Sequence, residues 1–398
     1  MEELIFEGLK VVEVSSWIAA PVAGAMLATR GAEVTKVEVP VDGDGYRNFS
    51  TLVFTPNADT NYTWLLDNHH KRSITINLKT EEGTQILHKM IAECDVYITN
   101  QPLGMRRSFG LDYEDIRHLN ERMIYASLSP YGEQGPDHER EAFDLAAYWN
   151  RSGLLNKMQH EGIEPVQAVP GMGDHPTGVA LYASIVTALL ARERTGKGTK
   201  VHTSLLANGI WSASCLLQAK LANADFSHVT RQRLTGAVYE ASDGRWIQIS
   251  MVRTPEVLDT LMIAMEAFDL ITDERFVTIE NRQEHADAFT KLLRERFKTR
   301  PSHEWIQLLR VEHDLPVDLV ATFDEVTTDP HIALNNMVSE PAEDIGMDQV
   351  ISDPVNVDSI QKLAAKRAPD MGEHTDDVLQ ELGYSVDDIA SLRDNGIV

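Results

Sequence analysis

The fold is decided by residues 9–39, which read LKVVEVSSWIAAPVAGAMLATRGAEVTKVEV. Two runs rich in β-branched residues, 9–15 and 33–39, flank a segment at 21–29 that consists mostly of small apolar residues. β-Branched side chains favour strands, and a longer apolar run that begins with proline favours a buried helix. A strand, a helix and a second strand in this order form a βαβ unit with parallel strands. The segment therefore predicts the beginning of an α/β domain.

The same alternation continues through the first half of the chain. Further β-branched runs predict strands at 73–78, 95–99 and 123–129, and residues 81–93 form a predicted helix that Thr80 opens. This order favours an open, mainly parallel sheet with helices on both faces. Ligands of such sheets bind beyond the carboxyl ends of the strands, so the binding residues are expected in the loops that follow them.

The pattern changes after residue 221. Residues 238–241 and 246–251 predict a β-hairpin around an Asp-Gly turn, and several helical segments follow it. From about residue 324 the chain is rich in proline and acidic residues. We predict three segments: a large α/β domain over 1–221, a smaller α+β domain over 222–325 and a C-terminal segment over 326–398.

Composition and charge limit the partners of this chain. It has 398 residues and a formal net charge of −25, so nucleic acid and anionic membrane surfaces would be repelled. The two cysteines, Cys94 and Cys215, exclude a disulfide framework, and the histidines show no spacing typical of a metal site. The acidic N-terminus lacks the features of a signal peptide, and no apolar run reaches the length of a membrane span. We expect a cytoplasmic protein that binds small molecules and no metal.

Common nucleotide-binding and hydrolase motifs are missing. The first predicted strand is followed by SSWIAAPVAG at 15–24, which lacks the closely spaced glycines of a dinucleotide-binding fingerprint. Gly196 and Lys197 lack the upstream glycine of a phosphate-binding P-loop and fit a helix C-cap with a turn. No serine nucleophile elbow occurs. A nicotinamide dehydrogenase and a serine hydrolase are therefore disfavoured.

One carboxylate stands at the beginning of a predicted helix. Residues 169–178, VPGMGDHPTG, directly precede an apolar helical run. Asp174 fits an N-cap whose side chain accepts the first free N–H groups, and Pro176 fits the opening turn. Two glycines, Gly171 and Gly173, clear space in front of the carboxylate. The spacing alone favours the capping role.

Basic residues lie near the strand ends of this acidic chain. Lys71 and Arg72 precede the third predicted strand, Lys79 follows it, and Arg106 and Arg107 follow the fourth. These residues are either scattered surface charge or a rim that holds a polyphosphate by charge-assisted hydrogen bonds. A helix N-terminus directly after Lys79 would favour the second interpretation, because helix N-termini attract anions.

Blocks along nearly the whole chain resemble the class III CoA-transferases, the formyl-CoA transferase or CaiB/BaiF family. The likeness includes Gly173-Asp174 and the RTGKGTKV stretch that follows the helix. Each block is short, but they occur in the family order and at the family intervals. The other blocks are GLKVVE at 8–13, GAEVTKVE at 31–38, NHHKRSITINL at 68–78, YASLSPYG at 125–132 and the segment at 372–384.

The resemblance implies a fold and an activity. The fold has a large domain with a Rossmann-like sheet, a small α+β domain, a C-terminus that returns to the large domain, and a homodimer of interlocked protomers. The activity moves CoA from an acyl-CoA to a carboxylic acid, with no tightly bound cofactor and no metal. Asp174 would be the nucleophile and would carry CoA as an aspartyl thioester. Gly171 and Gly173 would let the substrate approach backbone N–H groups that stabilise the oxyanion.

The resemblance also implies the CoA-binding positions, which are given at the end of this paragraph. The basic residues Lys71, Arg72, Arg106 and Arg107 join them as candidate contacts of the CoA phosphates. The implied positions are Ile18, Ala19, Ile76, Asn77, Leu78, Lys79, Asn100, Gln101, Pro102 and the segment 141–144 with Phe143 and Asp144.

The chain departs from oxalate-using relatives at several of these positions. Trp17 and Ile18 stand where those relatives carry a polar glutamine, and Val39 and Ser108 replace basic residues. The glycine-rich flap of formyl-CoA transferases is also missing. These departures disfavour oxalate and formate. They indicate a larger, more apolar acid near Trp17, as in the 2-hydroxyacyl and phenyllactate CoA-transferase branch.

Two other functions remain open from the sequence. An α-methylacyl-CoA racemase has the same fold and needs a histidine as second acid–base, but this chain has Phe143 in the corresponding stretch. His138 and His175 lie near enough in sequence to keep the racemase open. A CoA-binding protein without turnover, in which Asp174 is a cap, is the alternative from another class.

Overall fold

The computed structural model describes residues 4–159, 164–226, 238–250 and 255–398. Residues 1–3 of the acidic N-terminus and Met251, at the end of the predicted hairpin, lie outside the described residues. The chain divides into two compact units, one formed by Met1–Ala222 with Ala333–Val398 and the other by Asn223–Ile332. Within the described ranges, no helix is both long enough and apolar enough to cross a membrane.

Eleven strands and eighteen α-helices are found in the described ranges. The strands are β1 (Lys10–Val14), β2 (Glu33–Glu38), β3 (Arg72–Thr75), β4 (Val96–Thr99), β5 (Ile124–Ser129), β6 (Thr199–Ser204), β7 (Val238–Glu240), β8 (Trp246–Ile249), β9 (Val317–Leu319), β10 (Val338–Ser339) and β11 (Val350–Ile351). The helices are α1 (Ala19–Ala28), α2 (Tyr62–Asn68), α3 (Glu81–Glu93), α4 (Leu103–Ser108), α5 (Tyr113–Ile116), α6 (Leu154–Met158), α7 (Asp174–Thr195), α8 (Leu205–Ser212), α9 (Ser214–Leu221), α10 (Pro255–Ala264), α11 (Phe268–Thr272), α12 (Ile279–Glu284), α13 (Ala286–Phe297), α14 (Ser302–Ile306), α15 (Phe323–Thr328), α16 (Pro330–Leu334), α17 (Thr375–Glu381) and α18 (Val386–Asp394). Other helical turns lie at Gly45–Thr51, Leu145–Asn150 and Gln307–Glu312.

The larger unit is built on a six-stranded sheet in the order β3-β2-β1-β4-β5-β6. All five pairings are parallel, so the predicted parallel α/β sheet is confirmed. The sixth strand, Thr199–Ser204, is not in the sequence prediction. Its sequence, TKVHTS, is mostly polar and contains no apolar run, and the strand lies at the edge of the sheet. The strand order reverses between β1 and β4, which is where such sheets bind ligands.

Helices cover both faces of this sheet. All ten residues of α1 are buried, and this helix lies against α7 so closely that a Cβ on Gly178 would lie 2.6 Å from the Ala19 carbonyl oxygen. Val11 and Ile98 face this side, whereas Val12 and Tyr97 face the other side. The alternation follows the period of two in a strand, which sends neighbouring side chains to opposite faces.

The C-terminal segment completes the second face. Val378 and Leu379 of α17 and Ile389 of α18 belong to the same apolar cluster as α3. The segment also covers the outer edge of β3. There the His374 N–H donates to the Ser73 carbonyl (2.8 Å), and the Thr75 N–H donates to Oγ1 of Thr375 (3.2 Å). The backbone groups of an edge strand are therefore partly satisfied by residues far along the chain.

The smaller unit holds an antiparallel sheet in the order β7-β8-β9. The predicted hairpin is present, with Gly244 in the left-handed region (φ +77°) at its turn. The core of this unit is rich in aromatic residues, among them Phe276, Phe289, Phe297 and Trp305. The Trp305 indole N–H is satisfied by the Phe297 carbonyl at 2.8 Å.

Candidate active site

Asp174 is the first residue of α7, one position further into the helix than an N-cap. The capping position belongs to Gly173, so the capping role predicted from the spacing is wrong. The physical reason is that the turn at Gly171–Gly173 continues directly into helical backbone. The Asp174 side chain is half-buried, and no hydrogen bond to its carboxylate is found among the described residues. The carboxylate is therefore not engaged in closing the helix.

The surroundings of Asp174 disfavour its charged form. Burial and the neighbouring Asp144 carboxylate raise the pKa of Asp174 to about 7, with a smaller contribution from Asp67. His175 acts in the opposite direction. A carboxylic acid with such a pKa is a typical mark of a functional site. Near neutral pH, Asp174 exists in both the protonated and the ionised form.

Asp144 fixes the turn before Asp174. Its Oδ2 accepts the Gly173 N–H at 3.0 Å, and its side chain is buried. A Cβ on Gly173 would lie 2.7 Å from Cγ of Tyr148 and 3.0 Å from Cβ of Asp144, so no larger residue fits there without movement. The space that this glycine leaves is filled by protein side chains.

Gly171 has a left-handed backbone (φ +80°), and a Cβ there would lie 3.1 Å from the His175 ring. The Gly171 carbonyl lies 2.9 Å from Nδ1 of His175. On the other side, Cδ1 of Ile18 would be 3.5 Å from a Cβ on Gly171. The predicted site residues Ile18, Gly171, Gly173 and Asp144 are thus brought together around Asp174.

Trp17 follows β1 in a left-handed conformation (φ +68°), which costs a non-glycine residue roughly 1–2 kcal/mol. Asp44 holds it there, because Oδ1 of Asp44 accepts the Trp17 N–H at 3.1 Å. The Trp17 ring lies edge-on to Phe143 with 5.1 Å between centroids, and both side chains are exposed. An exposed aromatic pair therefore lies next to Ile18 and Asp144 in sequence.

The loops after β1 and β4 are joined at the point where the strand order reverses. The Ser16 N–H donates to Oδ1 of Asn100 at 2.9 Å, and Nδ2 of Asn100 donates to the Ser16 carbonyl at 2.7 Å. Gln101 is held by Oγ1 of Thr99, and Pro102 directly precedes α4. Ala19, at the beginning of α1, is buried.

The loop after β3 is partly packed and partly open. Ile76 is fully buried, and the Asn77 N–H donates to the Ile397 carbonyl at 2.7 Å. Leu78 and Lys79 line a shallow cavity of about 390 Å³, together with Thr80 and Phe109. Lys79 is exposed and directly precedes the Thr80 cap of α3. This is a suitable place for an anion, because the N-terminus of α3 adds partial positive charge.

Lys71 does not belong to this rim. Its side chain is fully buried, and its Nζ lies 2.9 Å from Oε2 of Glu13, 2.9 Å from the Pro21 carbonyl and 3.0 Å from Oδ1 of Asn68. Burial lowers the pKa of Lys71 to about 8, although Glu13 opposes this shift. Lys36 lies on the other side, 3.0 Å from Oε1 of Glu13. The phosphate contact expected for Lys71 does not fit its position, because its ammonium is part of the core.

The three arginines of the predicted rim also have partners within the protein. Arg72 contacts Glu381 through two nitrogens at 2.8 and 2.9 Å. Arg106 is buried and donates to the Tyr125 hydroxyl and to Glu133 at 2.8 Å. Arg107 lies 3.5 Å from Glu139. Of the five basic residues singled out in the sequence, Lys71 and Arg106 are buried in ion pairs of the fold, whereas Arg72 and Arg107 are paired at the surface and remain accessible.

Sequence reasoning missed Asp67, which lies close to both His175 and Tyr46. Asp67, on α2, is buried, and its Oδ1 lies 3.3 Å from Nε2 of His175. Burial and the Asp67 carboxylate raise the pKa of the Tyr46 phenol, with smaller contributions from Asp174 and Asp44. The sequence signal available was weak: a histidine directly after the candidate aspartate. In the described part of the chain, no group of three or more His, Cys, Asp or Glu side chains is arranged to hold a metal ion.

Comparisons of sequence identify relatives of this chain. Residues 6–375 match the model of CoA-transferase family III. (R)-2-Hydroxy-4-methylpentanoate CoA-transferase from Clostridioides difficile is 31% identical over 99% of this chain and 100% of the relative. Cinnamoyl-CoA:phenyllactate CoA-transferase from Clostridium sporogenes is 31% identical over 98% of this chain and 96% of the relative.

Solved structures agree with these sequence matches. A CAIB/BAIF family protein from Brucella suis has a TM-score of 0.81 and 27% identity, covering 96% of this chain and 100% of that protein. Rv3272 from M. tuberculosis has a TM-score of 0.81 and 27% identity, covering 94% of this chain and 99% of that protein. The resemblance found in the sequence is confirmed. The chain belongs to CoA-transferase family III and is a CoA-transferase enzyme.

Proposed function

We propose that Asp174 is the nucleophile of this CoA-transferase and carries CoA as an aspartyl thioester. The observation that supports this most directly is that its carboxylate is held in position but forms no hydrogen bond with the described residues. It lies in the first turn of a 22-residue helix, half-buried, without a hydrogen bond from the described residues, behind a turn that Asp144 holds through Gly173. A group held in place but not used by the fold is available for chemistry.

The reaction proceeds by exchange between acyl bonds. A carboxylate oxygen of Asp174 attacks the thioester carbonyl of the donor, the C–S bond breaks, and CoA leaves as a thiolate with a mixed anhydride behind it. The thiolate then attacks the aspartyl carbonyl of the anhydride. The C–O bond breaks, the donor acid leaves as a carboxylate, and Asp174 carries CoA. The acceptor carboxylate repeats these steps in reverse and regenerates the free Asp174 carboxylate.

The position of Asp174 suits these steps. The N-terminus of a long helix carries partial positive charge, which stabilises the oxyanions and the thiolate that form beside it. Every intermediate keeps an activated acyl bond, so the exchange needs no ATP. Partial burial of the site limits hydrolysis of the anhydride and the thioester.

CoA is proposed to bind along the carboxyl edge of the sheet. The joined loops at Ser16 and Asn100 support this placement, because they lie where the strand order reverses. Lys79 beside the N-terminus of α3 offers a cation for a CoA phosphate. Residues that remain in the proposed CoA site are Ile18, Ala19, Arg72, Ile76, Asn77, Leu78, Lys79, Asn100, Gln101, Pro102, Arg107, Phe143 and Asp144.

The acid exchanged is proposed to be larger and more apolar than oxalate or formate, with a 2-hydroxy or aromatic group. The exposed Trp17–Phe143 pair supports this, since such rings offer apolar contact area next to Ile18. The names of the two relatives fit it as well, since one acts on (R)-2-hydroxy-4-methylpentanoate and the other on phenyllactate.

The enzyme is further proposed to be a cytoplasmic homodimer of interlocked protomers, with residues 222–325 as its small domain and 326–398 as a return segment. Exposed apolar side chains on α8 and α9 support association with a second copy. They include Trp211 at 78% and Leu221 at 77% exposure, on two consecutive helices.

The test of the proposed function is mass spectrometry after incubation with a panel of acyl-CoAs and trapping with hydroxylamine or borohydride. An adduct on the peptide that contains Asp174 is expected, absent in Asp174→Asn and retained in the matched control Asp348→Asn, whose side chain is exposed. An adduct that persists in Asp174→Asn would refute the role of Asp174. Deuterium exchange at the acyl α-carbon without any adduct would support the racemase instead.

A further inference from the structure

His175, the residue after the proposed nucleophile, has an oxygen close to each ring nitrogen. Nδ1 forms a hydrogen bond with the Gly171 carbonyl oxygen at 2.9 Å. Nε2 is buried without a hydrogen-bond partner among the described residues and lies at ion-pair distance, 3.3 Å, from Oδ1 of Asp67. A carbonyl oxygen and a carboxylate oxygen can only accept, and a neutral imidazole carries one N–H. Both contacts are attractive together when the ring is an imidazolium with two N–H groups. The geometry therefore favours the charged form of His175.

The buried Asp67 carboxylate stabilises the positive charge of His175. Its side chain is 2% exposed, and its Oδ2 has no hydrogen-bond partner among the described residues. A buried carboxylate is costly unless a cation or hydrogen bonds compensate it. His175 supplies the cation. In return, Asp67 raises the pKa of His175 to about 9 against the effect of burial, which alone would lower it.

The pair lines a cavity, and one of its members is the chain neighbour of the nucleophile. Asp67 and His175 line a cavity of about 750 Å³ whose wall includes Val22 and Met26 of α1, and the His175 side chain is 40% exposed. His175 directly follows Asp174 in the chain. It also touches the turn that carries Asp174, through the Gly171 carbonyl. A change in the charge of His175 is therefore felt at Asp174.

We propose that His175, held as a cation by Asp67 and the Gly171 carbonyl, is a positioning residue that keeps Asp174 ionised and its turn in place for attack on the thioester. This inference rests on the proposed role of Asp174 as nucleophile. His175 forms no bond with the substrate and exchanges no proton with it. Its effect is electrostatic and conformational.

The charges around Asp174 determine the direction in which loss of the His175 charge shifts the pKa of Asp174. Burial, Asp144 and Asp67 raise the pKa of Asp174, and His175 lowers it. Tyr46 faces the same group as a neutral phenol, since its own pKa is raised by burial and by Asp67. Removal of the His175 charge therefore raises the pKa of Asp174. The acid limb of the pH–rate profile, where the rate falls because Asp174 becomes protonated, then moves to higher pH.

The other ionisable groups around the cavity do not change the direction of this pKa shift. Burial lowers the pKa of His69 to about 3, so that ring is neutral. Asp353 is paired with Arg30 at 2.7 Å and lies 3.4 Å from Lys362. Asp358 completes the ionisable groups in the lining of the cavity.

The test measures single-turnover formation of the Asp174–CoA adduct against pH in the wild type, His175→Gln and His175→Lys. For His175→Gln the midpoint of the acid limb is expected about one pH unit higher, which is about a tenfold lower rate at pH 6 and little change at pH 9. His175→Lys keeps a cation opposite Asp67 and is expected to restore most of the wild-type midpoint. His118→Gln, an exposed histidine, is the matched control.

NMR titration of His175 gives a readout that does not require turnover. In the wild type its midpoint is expected near pH 9. In Asp67→Asn it is expected at least one unit lower, because the carboxylate that holds the proton is gone. A wild-type midpoint at the ordinary histidine value would overturn the proposed ion pair.

The outcomes separate this inference from the proposed function. If the adduct forms on Asp174 but the acid limb of His175→Gln coincides with that of the wild type, the inference is wrong and the role of Asp174 stands. A uniform loss of rate at every pH would also overturn it, since a purely structural role predicts that pattern. If the wild type forms no adduct on Asp174 at any pH, the proposed function fails, and this inference fails with it.

Discussion

Replacement of Lys71 by methionine tests whether this residue serves the core or a ligand. Methionine keeps much of the apolar volume and removes an ammonium that lies within 3.0 Å of Glu13, the Pro21 carbonyl and Asn68. Glu13 keeps Lys36 but loses the cation at its second oxygen. Removal of one partner from a buried ion pair costs about 3–5 kcal/mol, since it leaves the other charge unpaired. That is a large part of the stability of an ordinary domain, about 5–15 kcal/mol.

The assay is urea denaturation together with a thermal melt, followed by CoA binding at a temperature where every variant is folded. Lys71→Met is expected to lower Tm by about 6–20 °C, since a domain of this size loses about 2–4 °C for each kcal/mol. Its affinity for CoA is expected to stay within about twofold. The matched variant Lys79→Met should behave in the opposite way, with stability within about 0.5 kcal/mol and weaker CoA binding, because Lys79 is exposed. A Lys71→Met protein of wild-type stability with weakened CoA binding would refute the reasoning.

Three further predictions follow from the site. Asp144→Asn can keep the hydrogen bond from Gly173 but loses a charge that raises the pKa of Asp174. The pH at which adduct formation is half-maximal on the acid side is therefore expected to fall below the wild-type value near pH 7. An unchanged midpoint would contradict this. Gly24→Ala places a Cβ 2.0 Å from Oε2 of Glu13 and should destabilise the protein by about 1–3 kcal/mol in urea denaturation, whereas a neutral effect would show that the buried pair can move. Trp17→Ala should raise KM for aromatic acids more than for acetate in steady-state kinetics, and an equal change for both would exclude Trp17 from the acyl site.

Local pattern was sufficient for most of the sheet but not for its edge. The β-branched runs predicted β1 to β5 within about three residues, because buried parallel strands require such runs. The strand at Thr199–Ser204 escaped prediction, since its identity as a strand comes from pairing with Ile124–Ser129 and not from its own apolar pattern. The strand predicted at 73–78 ends at Thr75, where the chain turns towards α3.

The site was predicted where the chemistry is local and missed where it depends on distant partners. Asp174 and its glycines are adjacent in sequence, so the turn could be recognised, although the helix begins one residue earlier than a cap at Asp174 requires. The role of Lys71 depends on Glu13, and that of Arg72 on Glu381; neither pairing leaves a trace in spacing. Asp67 reaches His175 through the packing of α2, which no motif encodes.

The closure of the β3 edge by residues 374–375 has a consequence for how the protein is made. Ile397 and the helices α17 and α18 supply side chains to the apolar cluster that covers one face of the sheet, and His374 donates to Ser73 across the edge. A ribosome synthesises β1 to β6 long before it reaches these residues. During that interval the nascent sheet has an open edge and an uncovered apolar face, the two features that make folding intermediates aggregate. This face therefore stays open to aggregation, and accessible to chaperones, until α17 and α18 emerge.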